Sequence, residues 1–143
     1  MYTPYGTSNR GALKAYRDHA AKDVENASPH RLVQMLLGGA LDRIAAAKGM
    51  MERGVVAEKG MRISEAISII DGLRVSLDHA ASGVISRNLE DLYRYMMLRL
   101  ADANARNRPE QLDEVMDLLR QIKSAWDALP HDVVAQHADG ARR

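Results

Sequence analysis

Cysteine is absent from the 143 residues, so thiol catalysis, thiolate metal centres and disulfide staples are excluded, and nothing in the chain depends on an oxidising compartment. Phenylalanine is absent too, and aromatic residues make up only 4%. Any core must therefore be built from aliphatic side chains, with the eight methionines either filling its gaps or lining an adaptable binding surface. No stretch holds the roughly 18 consecutive apolar residues that a membrane span needs, and Met1 to Arg10 contain no apolar run of the kind a secretory signal carries. There is no surplus of one charge either: 20 basic against 19 acidic residues leave a net charge of +1. Both signs are interleaved along the chain, which argues against nucleic acid as a partner. The expectation is a soluble, cytoplasmic protein of one domain. With 46% hydrophobic residues it can bury about two-thirds of the surface its unfolded chain exposes.

Motifs for chemistry are missing as well. No Gly-x-x-x-x-Gly-Lys loop, Gly-x-Gly-x-x-Gly turn or Gly-x-Ser-x-Gly elbow occurs, and no strand is predicted to carry one. The Glu-x-x-His pairs that build di-metal sites in helical bundles are lacking. The five histidines fall mostly near helix ends or in tails, and His30 reads as a solvated first-turn residue. Glu90, Asp91, Asp113, Glu114 and Asp117 occupy polar helix faces with no pocket to make them acids or bases. The expectation is no catalytic residue, no metal site and no cofactor.

What the chain does contain is helical periodicity. Ile85, Leu89, Leu92 and Met96 recur at helical steps, and the phase returns at Ala103. After Asn107-Arg108, Pro109 opens a second helix whose seam is Leu112, Val115, Leu119, Ile122, Trp126 and Leu129. So short a link makes the two antiparallel. Upstream, Ser28-Pro29 is an N-cap followed by proline at the first helical position, and Val33, Leu37, Ala40, Ile44, Ala47 and Met51 follow, with Gly54 ending the helix. Ile63, Ala66, Ile70, Leu73, Leu77 and Ala80 form the remaining long seam, broken at Ala81-Ser82-Gly83, after which Ser86 or a neighbour can cap the next helix. Four seams with short links predict an all-α fold, an antiparallel up-down four-helix bundle. A short N-terminal helix, Ala12 to Val24, is expected to pack on it. Residues 1–11 read as a flexible arm, 12–130 as the bundle domain and 131–143 as a disordered tail.

Two helices carry more apolar surface than one seam requires. Leu32, Met35, Leu36 and Gly39 lie beside the first seam, and Tyr93, Met97 and Leu100 form a stripe about 100° round from the third. Such surplus surface makes either a groove for a partner or a bed permanently filled by the N-terminal helix and its tyrosines. The candidate groove is Leu32, Met35, Leu36, Gly39, Tyr93, Met97 and Leu100, with Tyr16 of the N-terminal segment as the residue a partner would displace.

The blocks Ser28-Pro29-x-x-Leu32, Met35-Leu36-x-x-Gly39-Ala40, Ile69-Ile70, Leu77-Asp78, Asn88-Leu89-x-x-Leu92-Tyr93-x-Tyr95-Met96, Ala103-Asn104, Glu114-Val115-x-x-Leu118-Leu119 and Ala125-Trp126 together resemble the flagellar secretion chaperone family FliS. The resemblance spans about Ala15 to Leu129. It implies an antiparallel helical bundle in the cytoplasm that holds the C-terminal segment of flagellin in hydrophobic grooves, prevents premature polymerisation and assists delivery to the flagellar type III export gate. It also implies that the N-terminal arm occupies part of the groove until flagellin displaces it. The chain departs from the family at Leu37-Gly38, where an aromatic and an acidic residue are usual, and at Ser82-Gly83-Val84-Ile85, where the family has Gly-Gly-Glu-Ile. The alternative is a helical adaptor that regulates a folded flagellar or anti-sigma partner.

Overall fold

A computed structural model describes residues 27–129, without the side chains of 79–82. The expected arm, the helix over 12–24 with Tyr16, and the tail from 131 lie outside the described residues. Within them are four helices and no strand: α1 Pro29–Glu52, α2 Val56–Val75, α3 His79–Arg106 and α4 Pro109–Asp127. α1 packs on α2 and α4, and α3 on the same two, so the helices form an up-down-up-down ring.

The helix ends follow from local chemistry. The Ser28 hydroxyl accepts from the Arg31 amide at 3.1 Å, and Pro29 takes the first helical position, where no amide hydrogen is needed. At the other end of α1, Val55 N–H donates to Met50 C=O at 2.9 Å and Gly54 N–H to Met51 C=O at 3.2 Å, with Gly54 at φ 75. That left-handed residue is why glycine stands there. α3 closes in the same manner through Asn107 at φ 53, with Arg108 N–H donating to Ala103 C=O at 3.1 Å. Pro109 then starts α4.

The core is aliphatic and dry. Leu37, Ala40, Ile44 and Ala47 of α1, Ile69, Ile70 and Ala66 of α2, Met96, Leu100 and Ala103 of α3, and Leu112, Val115 and Leu119 of α4 are closed to solvent. Each buried leucine or isoleucine contributes about 1.5–3 kcal/mol through area alone. The buried side chains of His30, Lys59, Ser68, Ser86 and Gln111 each have a hydrogen-bond partner. The Lys59 ammonium, on α2, donates to Asn104 C=O at 3.0 Å and to Asn107 Oδ1 at 2.7 Å, so a cation caps the carbonyl end of α3. Gln111 Nε2 donates to Asp102 Oδ2 at 3.0 Å and ties α4 back to α3.

The expected break before Ile85 falls at Gly83, which leaves helical geometry at φ 41, ψ −99 and separates a first helical turn from His79 from the rest of α3. Three sequence expectations are corrected. Ser86 does not cap; its hydroxyl donates back across the kink to Asp78 C=O at 2.9 Å. Ile85 keeps the phase of Leu89, Leu92 and Met96 but is 65% exposed instead of opening a buried seam. Thirdly, His30 is buried rather than solvated, because it packs against Trp126 of α4.

Candidate partner-binding surface

Polar contacts beside each apolar stripe identify the neighbour that the stripe meets. On α1, Leu32, Leu36, Gly39 and Arg43 share one side of the helix, at steps of four, three and four. Arg43 lies 3.7 Å from Glu65 of α2. The other side belongs to α4, where Lys48 meets Asp113 at 2.8 Å and Gln34 donates to Asp127 at 2.6 Å. On α3, Glu90, Tyr93, Met97, Leu100 and Asn104 line one side; Glu90 is 3.6 Å from Arg74 of α2, and Asn104 accepts from Lys59 of α2. Both stripes therefore turn toward α2 and flank it.

Of the expected groove residues, Leu36, Gly39, Tyr93 and Leu100 are buried, whereas Leu32, Met35 and Met97 are half-buried. Burial pushes the Tyr93 hydroxyl up to about 12. The structure thus brings the two rows together on either side of one helix, with Leu32, Met35 and Met97 as their accessible edges. Tyr16 lies outside the described residues. Between the rows, α2 carries Ser64, Ser68 and Gly72 at steps of four, and Ser68 is buried with its hydroxyl donating to the Ser64 carbonyl at 3.1 Å.

A different seam is the loosest of the four. α3 and α4 meet least of all the neighbouring pairs, although they are joined by the shortest kind of turn. Near that turn they are bolted: the Tyr95 hydroxyl donates to Glu114 Oε2 at 2.6 Å, Arg99 Nε donates to Oε1 at 2.7 Å, and the Arg99 guanidinium stands 5.9 Å from the centroid of the Tyr95 ring. The hydrogen bond from Tyr95, joined by the bond and charge of Arg99, holds the Glu114 carboxyl below the usual carboxylate range. The same bond to Glu114 raises the Tyr95 hydroxyl.

Beyond the bolt the facing apolar residues are not closed. Leu89 and Leu92 of α3 and Leu118 and Ile122 of α4 are half-buried, and Ile85 and Leu129 at the far end are 65% and 43% exposed. Periodicity assigned most of these residues to the core seam and so missed their openness. No local signal marks it, because helical steps give the face on which a residue lies and not whether a neighbour closes over it.

Among the described residues no three His, Cys, Asp or Glu side chains are grouped to hold a metal ion. No helix among them is long and apolar enough to cross a membrane. What the geometry offers is half-open apolar rows on the outside of an aliphatic bundle, and that defines the class: a helical module for holding another polypeptide.

The chain belongs to the flagellar protein FliS family, which it matches over residues 12–133. It is 46% identical to the flagellar secretion chaperone FliSB of Pseudomonas aeruginosa over 121 residues, covering 84% of this chain and 96% of that protein. It is 41% identical to the flagellar secretion chaperone FliS of Vibrio cholerae over 122 residues, covering 85% and 90%. With the flagellar secretion chaperone FliS of Salmonella typhimurium it shares 42% identity over 128 residues, covering 88% and 90%. These are chaperones and not enzymes, so the chain is placed among binding proteins.

Proposed function

We propose that this chain is a cytoplasmic export chaperone that holds the C-terminal segment of flagellin, keeps it from polymerising prematurely and assists its delivery to the flagellar type III export apparatus. The observation that carries this reading is the pairing of family membership with accessible apolar edges on both flanks of α2, at Leu32 and Met35 on one side and Met97 on the other. A segment lying along α2 would reach Leu36, Gly39, Tyr93 and Leu100 by shifting these edges outward, displacing Tyr16 and the N-terminal segment as it does so. The cost of ordering a client that folds on binding is several kcal/mol, so large apolar contact is required.

The test is calorimetry with a flagellin C-terminal peptide, on the unmutated chain and on Met97→Asp. One-to-one binding with a strongly negative heat-capacity change is expected for the former. For the variant, weakened binding with helicity retained is expected, because a charge at a half-open position damages a dry contact more than it damages the fold. Unimpaired affinity in the variant would remove Met97 from the site. Absence of binding by the unmutated chain would defeat the chaperone reading.

A further inference from the structure

We infer that Met35 and Met97 form a reversible oxidation site, and that a peroxide acting on their thioethers weakens the hold on the client while the bundle stays folded. The inference rests on the chaperone reading above and adds a chemical control to it.

Composition confines the chemistry to one residue type. The chain has eight methionines and no cysteine, so a two-electron oxidant finds no thiol and reacts first at thioether sulfur. In that step the O–O bond of the peroxide breaks and one of its oxygens bonds to Sδ. The thioether gives up two electrons and becomes a sulfoxide, and hydrogen peroxide, as the oxidant, is reduced to water. The product is polar where the thioether was apolar, and sulfoxide reductases reverse it.

Burial then sorts the methionines among the described residues. Met96 is closed to solvent, and Met116 is 5% exposed with the Arg120 guanidinium donating to its Sδ at 3.9 Å, so these two are shielded. Met61 is 56% exposed, and Met35, Met50, Met51 and Met97 are half-buried, so an oxidant reaches these five. Met96 and Met97 are neighbours in sequence with opposite fates. A sulfoxide at Met96 would set an unpaired polar group in the dry core, whereas one at Met97 alters only an edge.

Register decides which of the reachable sulfurs matter. α1 and α2 are pinned where Arg43 lies 3.7 Å from Glu65, and α2 and α3 where Arg74 lies 3.6 Å from Glu90. Counted from these pins, Met35 stands level with about Leu73 of α2 and Met97 with about Ile67, an offset of about 9 Å along the helix. A client segment of two helical turns or more lying along α2 crosses both. By the same count the rows from Leu32 to Gly39 and from Tyr93 to Leu100 run beside α2 from about Ser64 to about Ser76. Met50, Met51 and Met61 fall past the Ser64 end, so their oxidation leaves the rows untouched.

The experiment treats the full chain with hydrogen peroxide, removes the oxidant, and adds a flagellin C-terminal peptide. Peptide mapping should find sulfoxide at Met35 and Met97 with Met96 and Met116 spared, and circular dichroism should be unchanged. Calorimetry should show affinity at least about tenfold lower, because two polar groups now face an apolar client. Methionine sulfoxide reductases acting on both sulfoxide epimers should restore it. Met35→Leu combined with Met97→Leu conserves volume, so this variant should bind as its parent does and keep its affinity after peroxide. Met61→Leu should lose affinity as the parent does.

Full affinity in the oxidised parent, or equal loss in the double leucine variant, overturns the oxidation site while leaving the chaperone reading in place. So does affinity lost only together with helicity, because the cause is then the core. Should the double variant bind poorly before treatment, a peroxide time course decides: affinity must fall with sulfoxide at Met35 and Met97, and a fall that follows Met61 instead overturns the inference. If the peptide fails to bind the untreated chain, both the chaperone reading and this inference fall.

Discussion

His30 and Trp126 exchange hydrogen bonds between the first turn of α1 and the last turn of α4. The His30 Nε2–H donates to the Trp126 carbonyl at 3.0 Å, the indole Nε1–H donates to the His30 carbonyl at 3.0 Å, and the rings stack with centroids 5.4 Å apart at 16°. A carbonyl can only accept, so the histidine must carry its hydrogen on Nε2. Both ring donors are thereby satisfied by one pair of residues.

Trp126→Phe keeps a stacked ring and removes the indole donor. The expected loss is about 1–2 kcal/mol of unfolding free energy, read by urea titration followed by circular dichroism. Because Trp126 is the single tryptophan, its fluorescence in the unmutated chain should report the same midpoint. A variant as stable as its parent would show that the exchange is incidental.

Leu98 and Leu100 are two residues apart on α3 and opposite in environment, 72% exposed against fully buried. Leu100→Ala should cost about 2–5 kcal/mol through lost transfer energy and the cavity left behind. Leu98→Ala should stay within about 0.5 kcal/mol. Equal losses in thermal melts would contradict the packing of α3.

Alkaline pH should unfold the bundle through Tyr93. Its folded pKa is raised to about 12 by burial, above the unfolded value near 10. The stability it contributes is fully present below the unfolded value and is lost as pH rises toward the folded one. Tyr93→Phe should flatten stability over that window; an unchanged alkaline limb would exclude Tyr93 as its cause.

At the acid end the sign reverses. Glu114 has its folded pKa lowered, so the stability it contributes is present above the unfolded carboxylate value and is lost as pH falls through the folded one. Glu114→Gln should weaken the acid limb of the stability profile and loosen Tyr95, which can be followed by tyrosine absorbance. Because the pair is largely exposed, solvent keeps the effect small.

The sequence made the four seams and most helix ends legible, since Ser28-Pro29, Gly54 and Asn107 each act locally and the apolar steps register the core. What it left unread depends on contacts distant in sequence. His30 precedes Trp126 by 96 positions, and no local pattern announces the pairing. The exposure of Ile85 was not legible, because a residue in phase with Leu89 and Met96 is buried only where a neighbouring helix covers it. The stripes on α1 and α3 were visible as surplus, but periodicity gives the width of an apolar arc and not the helix that covers it. Both turned out to flank α2, while the open seam lay where two apolar helices follow each other in the chain.

The burial of Lys59 has a use in chemical footprinting. Only 4% of its surface is exposed, and its ammonium is held by Asn104 and Asn107 at the end of α3. An amine-reactive reagent should therefore spare it while modifying the half-exposed Lys48 and Lys123. The rate at which Lys59 becomes labelled measures how often α2 parts from the α3–α4 turn, and mass spectrometry can follow that opening without any substitution.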